Sequence, residues 1–292
     1  MENRAQQQHH PRQKGQRLAV LKTLALGFGL FLFPLLTQSQ DLRAVADSIL
    51  EEGKLLYHIE LADRHSEETF NQRFTKENIQ HRLSYSDGSS IYTLFFTEKG
   101  KTVRFAFTYP GTGKPTEYEV SGEERSPTKL EKRLFKCLAK TEKRMVKDTA
   151  TIKQYPNFHH RKIFLAEESG IRVFLLPNSI FKHVVPIGND FQFQFSRNGR
   201  LKRMIQLHKK FLAIESNPEL EDDEEVVSGA HAQAANFSPY IHATDVCTLL
   251  LYRPYIAWSK HVVFHDRFVS FFDLQNEALE IVPASAVDGI AP

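Results

Sequence analysis

Val103-Arg104-Phe105-Ala106-Phe107-Thr108-Tyr109 decides the fold class. Large apolar side chains alternate with small or polar ones at a period of two, the pattern of a half-buried strand in an antiparallel meander. Working outward, Glu98-Lys99-Gly100-Lys101 reads as a turn and Ile91 to Thr97 as the preceding strand. Asp87-Gly88 is a hairpin signal that joins it to Arg82–Ser86. Further upstream, Leu42, Val45, Ala46, Ile49 and Leu50 repeat at helical spacing, Gly53 offers a C′ stop, and residues 62–79 read as polar and irregular. Downstream, Pro110 to Pro115 is a Gly/Pro loop. A long amphipathic helix then runs from about Pro127 to Lys147, with Thr128 and Glu131 spaced as a capping box.

The second half repeats the strand pattern. Ile163–Ala166 and Ile171–Leu176 flank Ser169-Gly170. Phe191, Phe193 and Phe195 alternate with Gln192 and Gln194, and Asn198-Gly199 turns the chain back through Leu201–Leu207. An acidic loop covers residues 219–225, Thr244–Tyr252 reads as a helix, and three closing strands follow, His261–Phe264, Phe268–Asp273 and Leu279–Val282. The expected class is α+β, with antiparallel sheets, the long amphipathic helix and a short C-terminal helix. Residues 40–282 form one domain, with a sub-boundary left open near residue 150, and residues 283–292 form a loose tail.

The first 39 residues read as an export signal. Arg4, Arg12, Lys14, Arg17 and Lys22 precede an apolar run of thirteen residues, Leu24 to Leu36. A membrane-crossing helix needs about 20 apolar residues, so this run matches a signal-peptide core. Thr37 and Ser39 sit as small residues two apart, which places cleavage after Ser39. Removing residues 1–39 takes away five of 38 basic and one of 35 acidic residues, leaving 33 against 34 and a formal charge of −1. That balance removes any global argument for nucleic-acid binding. It leaves a periplasmic or extracellular protein with no transmembrane span after processing. Two cysteines, Cys137 and Cys247, either pair in an oxidising compartment or stay as separate buried thiols.

The chain has no GxSxG elbow, Walker loop, GxGxxG or HExxH motif. Chemistry concentrates in Gly229–Tyr252, where a histidine follows a short apolar strand and His-Ala-Thr-Asp opens a helix. His231, His242 and Asp245 supply the atom types for a zinc site, and Glu215 on the preceding strand supplies a carboxylate to orient or deprotonate a bound water. His208, beside Lys209-Lys210, and the pairs His159-His160 and His261/His265 read as surface or incidental. Eight basic residues from Lys129 to Lys147 cover one side of the long helix, a face suited to an anionic surface.

The Gly229–Tyr252 segment resembles the JAMM (MPN-plus) metalloproteases, which carry His-x-His-Pro, a loop, and Ser-x-x-Asp at a helix start. His231 takes the first histidine position and Asp245 that of the aspartate. Gln233 stands at the second histidine position and Ala234 at the proline. Over most of its length the chain also resembles uncharacterised exported proteins of Bacteroidota, through Glu52–Tyr57, Gly188–Phe191, Leu207–Lys209 and Ala243–Tyr252. Members of that group tend to carry His-x-His where this chain has His231-Ala232-Gln233. Two functions follow as expectations. One is an exported, non-catalytic binding or envelope-associated domain whose partner is a protein or an anionic envelope component. The other is a zinc-dependent JAMM-like hydrolase with a degraded metal site.

Overall fold

The computed structural model describes residues 16–74, 78–97, 100–111, 117–216 and 228–287, with side chains from Asp41 onward. The chain divides into two compact units, residues 1–45 and 46–292. Helix α1 (Gln16–Arg73) is followed by strands β1 (His81–Ser86), β2 (Ser90–Thr97), β3 (Thr102–Pro110) and β4 (Glu119–Ser121). Helix α2 (Lys129–Lys147) precedes β5 (Phe158–Glu167), β6 (Gly170–Ser179), β7 (Val184–Ile187), β8 (Phe191–Phe195), β9 (Leu201–Gln206) and β10 (Leu212–Glu215). The chain closes with β11 (Ser228–Ala232), helix α3 (Ala243–Tyr252), β12 (Lys260–Phe264), β13 (Phe268–Asp273) and β14 (Ala278–Pro283). The class is α+β. Residues 1–15 of the expected signal, the acidic run 219–225 and residues 288–292 of the expected tail lie outside the described residues. No helix among the described residues is long and apolar enough to cross a membrane.

Eight strands form one sheet in the order β4-β3-β2-β1-β5-β6-β8-β9, so strands from both sides of residue 150 share it. Strand alternation sends neighbouring side chains to opposite faces. Phe95, Phe105, Phe107, Ile163, Leu165 and Phe174 pack beneath Leu56, Ile59 and Phe70 of α1. Leu94, Phe96, Phe164, Val173, Phe191 and Phe193 pack against Leu134, Cys137 and Leu138 of α2 on the other face. A third core joins α3 to β7, β12 and β13 through Val246, Leu249, Val185, Val263 and Phe272.

The sheets are not purely antiparallel. β1 pairs with β5 in parallel, and so does β11 with β12. Both parallel pairs join strands distant in sequence, where no tight turn dictates direction.

Helix α1 does not end at Gly53 and continues through the stretch read as irregular. A Cβ at Gly53 would lie 2.5 Å from Val246 Cβ, so the glycine lets α1 cross close to α3 rather than stop. Beyond it the polar residues are anchored. Asp63 accepts from Arg82 Nε at 2.8 Å and Nη2 at 2.9 Å, from Arg161 Nη1 at 2.8 Å, and from Ser84 Oγ at 2.7 Å. Glu60 lies 3.0 Å from Arg64 and 3.4 Å from Arg161. These carboxylates fix α1 to β1 and β5.

The start of α2 carries the expected reciprocal cap. Glu131 N donates to Thr128 Oγ1 at 3.2 Å, and Thr128 N donates to Glu131 Oε2 at 2.7 Å.

The cysteines do not pair. Cys137 packs among the α2-side residues and Cys247 among the α1-side residues, and both are free and buried. Burial pushes the Cys137 thiol up to about 11 and Cys247 well above its ordinary value. Under native conditions both thiols should resist alkylation, and reductant should leave the melting temperature unchanged. A disulfide-containing peptide in a non-reducing digest would overturn this.

Candidate metal centre

Three segments far apart in sequence converge where β9, β11 and α3 meet. The first is the exit of β9. Gly188 and Asn189 both adopt left-handed backbone, with φ of 81° and 54°. Glycine is required at 188, because a Cβ there would lie 2.0 Å from the Lys210 carbonyl oxygen. This bend brings Asp190 alongside the β9 exit, where Leu207 N donates to Asp190 O at 3.1 Å. The next residue, His208, is buried although Lys209 and Lys210 are exposed. Its Nδ1 lies 2.7 Å from Asp190 Oδ1, while Thr244 Oγ1 donates to Asp190 Oδ2. Both carboxylate oxygens of Asp190 are thereby committed.

The second segment is β11, whose inward residues are Gly229 and His231. His231 Nδ1 lies 2.9 Å from His261 Nε2 on the neighbouring strand β12. A Cβ at Gly229 would lie 2.5 Å from the Trp258 ring and 2.8 Å from His261 Nδ1, so only glycine leaves room for this histidine pair.

The third is the first turn of α3. His242 is its N-cap, and the helix begins at Ala243, one residue before the expected start at Thr244. His242 N donates to Asp245 Oδ2 at 3.0 Å, which holds the carboxylate at the positive end of the helix. Asp245 Oδ1 is 3.2 Å from His208 Nε2, and Oδ2 is 3.9 Å from His231 Nε2.

His208, His231 and Asp245 each offer one ligand atom, and these atoms all lie within 4.8 Å of one another. All three residues are buried, at 3%, 5% and 1% exposure. His231 Nε2 has no hydrogen-bond partner, and His208 Nε2 meets only the Asp245 carboxylate, at 3.2 Å. Zinc bonds to histidine nitrogen at about 2.0–2.1 Å, so tetrahedral ligand atoms stand roughly 3.3–3.5 Å apart. The 3.2 Å separation from Asp245 Oδ1 to His208 Nε2 is close to that edge length, while the 3.9 Å separation to His231 Nε2 runs from the other oxygen, Oδ2, and is wider. The donor set therefore fits a divalent ion of the zinc class.

The electrostatics agree with a cation site. Burial alone would lower the pKa of His208, but the Asp190 and Asp245 carboxylates outweigh it and hold the value well above the ordinary one. Burial would raise Asp245, yet His208, His231 and His242 keep its carboxyl well below the usual range. Burial pushes His231 down to about 4, against a partial pull from Asp245, and His261 to about 3. His231 is neutral at pH 7. When its Nδ1 donates to His261, its Nε2 lone pair faces an anionic oxygen, an arrangement that a cation relieves.

The other expected site residues divide. His242 is half-buried, with its ring 4.9 Å from that of His208 and its Nε2 unpartnered, but it is not in the group within 4.8 Å. Glu215 is exposed at the end of β10, paired with Val184, and is not in the group either. Gln233 is buried and binds Phe264 O through its backbone N–H at 2.8 Å. The second imidazole comes from His208, which follows β9 of the eight-stranded sheet, whereas β11 belongs to a separate four-stranded sheet. His208 and His261, which read as surface and incidental, are in fact among the buried residues of the centre. The motif Gly188-Asn189-Asp190 was the available signal, since two turn-forming residues before an acid mark a deliberate bend.

No protein-family model, curated protein or solved structure matches this chain. The fold and site on their own describe an α+β protein with a buried two-histidine, one-aspartate centre.

Proposed function

We propose that the chain is an exported, non-catalytic binding domain built around a divalent-metal centre, with zinc bound by His208, His231 and Asp245. The observation that carries this reading is the convergence of two buried Nε2 atoms on one carboxylate, that of His231 without a hydrogen-bond partner. The ligands are almost fully buried, which suits a closed site that ties β9, β11 and α3 together. Asp190 and His261 support it from behind by fixing the two imidazole rings. Export rests on the basic amino end, the apolar run and the Thr37/Ser39 pair.

The JAMM-like hydrolase is the second reading, because three protein ligands leave one tetrahedral position for water. Burial of all three ligands and exposure of Glu215 weigh against it.

Native mass spectrometry of the protein purified from its host tests both parts of the proposal. The expected species is residues 40–292 carrying one zinc ion. A mass retaining residues 1–39 ends the export reading. Failure to take up zinc even after titration with excess metal ends the metal reading.

A further inference from the structure

The outward face of α2 has no role in the metal centre. At 100° per residue, all eight lysines and arginines of α2, from Lys129 to Lys147, fall within an arc of about 120°. The acids lie elsewhere. Glu131 is buried and bound by Arg125 at 2.7 Å, and Glu142 lies 3.3 Å from Lys162 on β5. Asp148, at the C-cap, is 2.5 Å from Arg144. Glu123 and Glu124 are exposed in the segment ahead of the helix.

The Asn198-Gly199 turn widens this face. Arg133 Nη1 donates to Arg197 O at 2.9 Å and Lys140 Nζ donates to Gly199 O at 2.5 Å, so the turn docks on α2. Arg197 and Arg200 of that turn are exposed. The five remaining lysines, at 129, 132, 136, 143 and 147, are exposed and no acidic side chain lies in their arc. At its flank sits Val146, a large apolar side chain that is 78% exposed.

We propose that this face docks on an anionic phospholipid surface. A straight helix of 19 residues presents its lysines along a line of about 28 Å, which suits a plane of headgroups. Charge complementarity supplies the attraction, and long lysine stems reach the headgroups while Val146 meets the acyl boundary. The exposed valine favours a bilayer over a soluble polyanion, which has no apolar layer to receive it. The inference is independent of the metal centre.

The test is vesicle flotation with the full chain, reading the gain in bound fraction when phosphatidylglycerol is added to phosphatidylcholine vesicles. A large gain that falls with salt is expected. The variant carrying Lys132→Glu, Lys136→Glu, Lys143→Glu and Lys147→Glu should lose at least about a thousandfold in partitioning to the anionic vesicles. These side chains are exposed, so the variant should keep the wild-type melting temperature. Val146→Ser, which removes the apolar side chain without adding charge, should weaken binding without changing its salt dependence. No gain with phosphatidylglycerol, or a gain that survives the four reversals, overturns the proposal. So does binding to soluble heparin that is blocked by the reversals while vesicles are ignored, since that identifies a polyanion site instead.

Discussion

Asp245→Asn should abolish tight zinc binding while leaving the fold in place. The amide keeps the size of the carboxylate and one oxygen to accept the His242 N–H. It removes the anion that faces both His208 and His231. Neutral amide oxygens add little to zinc affinity, so a loss of at least about a hundredfold is expected. Calorimetric titration would show it, together with loss of the zinc-induced rise in melting temperature. Asp190→Asn, acting through His208 and through Thr244 beside Asp245, should cost about 10–100-fold. Glu215→Gln should bind zinc as the wild type does, because Glu215 is exposed outside the group. Wild-type affinity in Asp245→Asn would show that the three residues do not share an ion.

Asp63→Ala should destabilise the fold strongly. Asp63 is 9% exposed and receives two guanidinium groups and a serine hydroxyl. Its removal leaves Arg82 and Arg161 partly buried with reduced compensation from Glu60 and Glu67. Removing one partner of a buried ion network costs about 3–5 kcal/mol. Denaturant unfolding should show this as a lower midpoint with an unchanged slope. A change below about 1 kcal/mol, the value of a surface pair, would mean that solvent screens the network.

The two strand groups were legible because their side chains alternate. Phe105 and Phe107 face α1 while Leu94 and Phe96 face α2, as a period of two demands. The α2 cap was legible because Thr128 and Glu131 answer one another locally. Beyond Gly53, α1 was not. Glu60, Asp63 and Glu67 look solvated in sequence, and their partners Arg82 and Arg161 lie on strands further along the chain. Pairing direction was also hidden, since β1 meets β5 and β11 meets β12 without a connecting turn. At the site, His231 and Asp245 were within reach of local spacing, but His208 follows a strand of another sheet. Two lysines after it gave it a surface appearance, whereas the burial of His208 is set by Asp190 and α3.

The parallel pairing of β1 with β5 also governs how the sheet can be assembled. These strands are neighbours at the middle of the sheet, yet residues 87–157 separate them along the chain. β1, β2 and β3 join through short turns, and so do β5 and β6. Closing the long loop between the halves costs entropy before its contacts repay it, so local hairpins form first and the halves join last. Until then β1 is an open edge, the kind of backbone that captures strands from other molecules. Arg82 lies on that edge and turns its charge inward toward Asp63 of α1. A charge so placed obstructs stray pairing, so the ion network that fixes α1 also shields the unfinished sheet from aggregation.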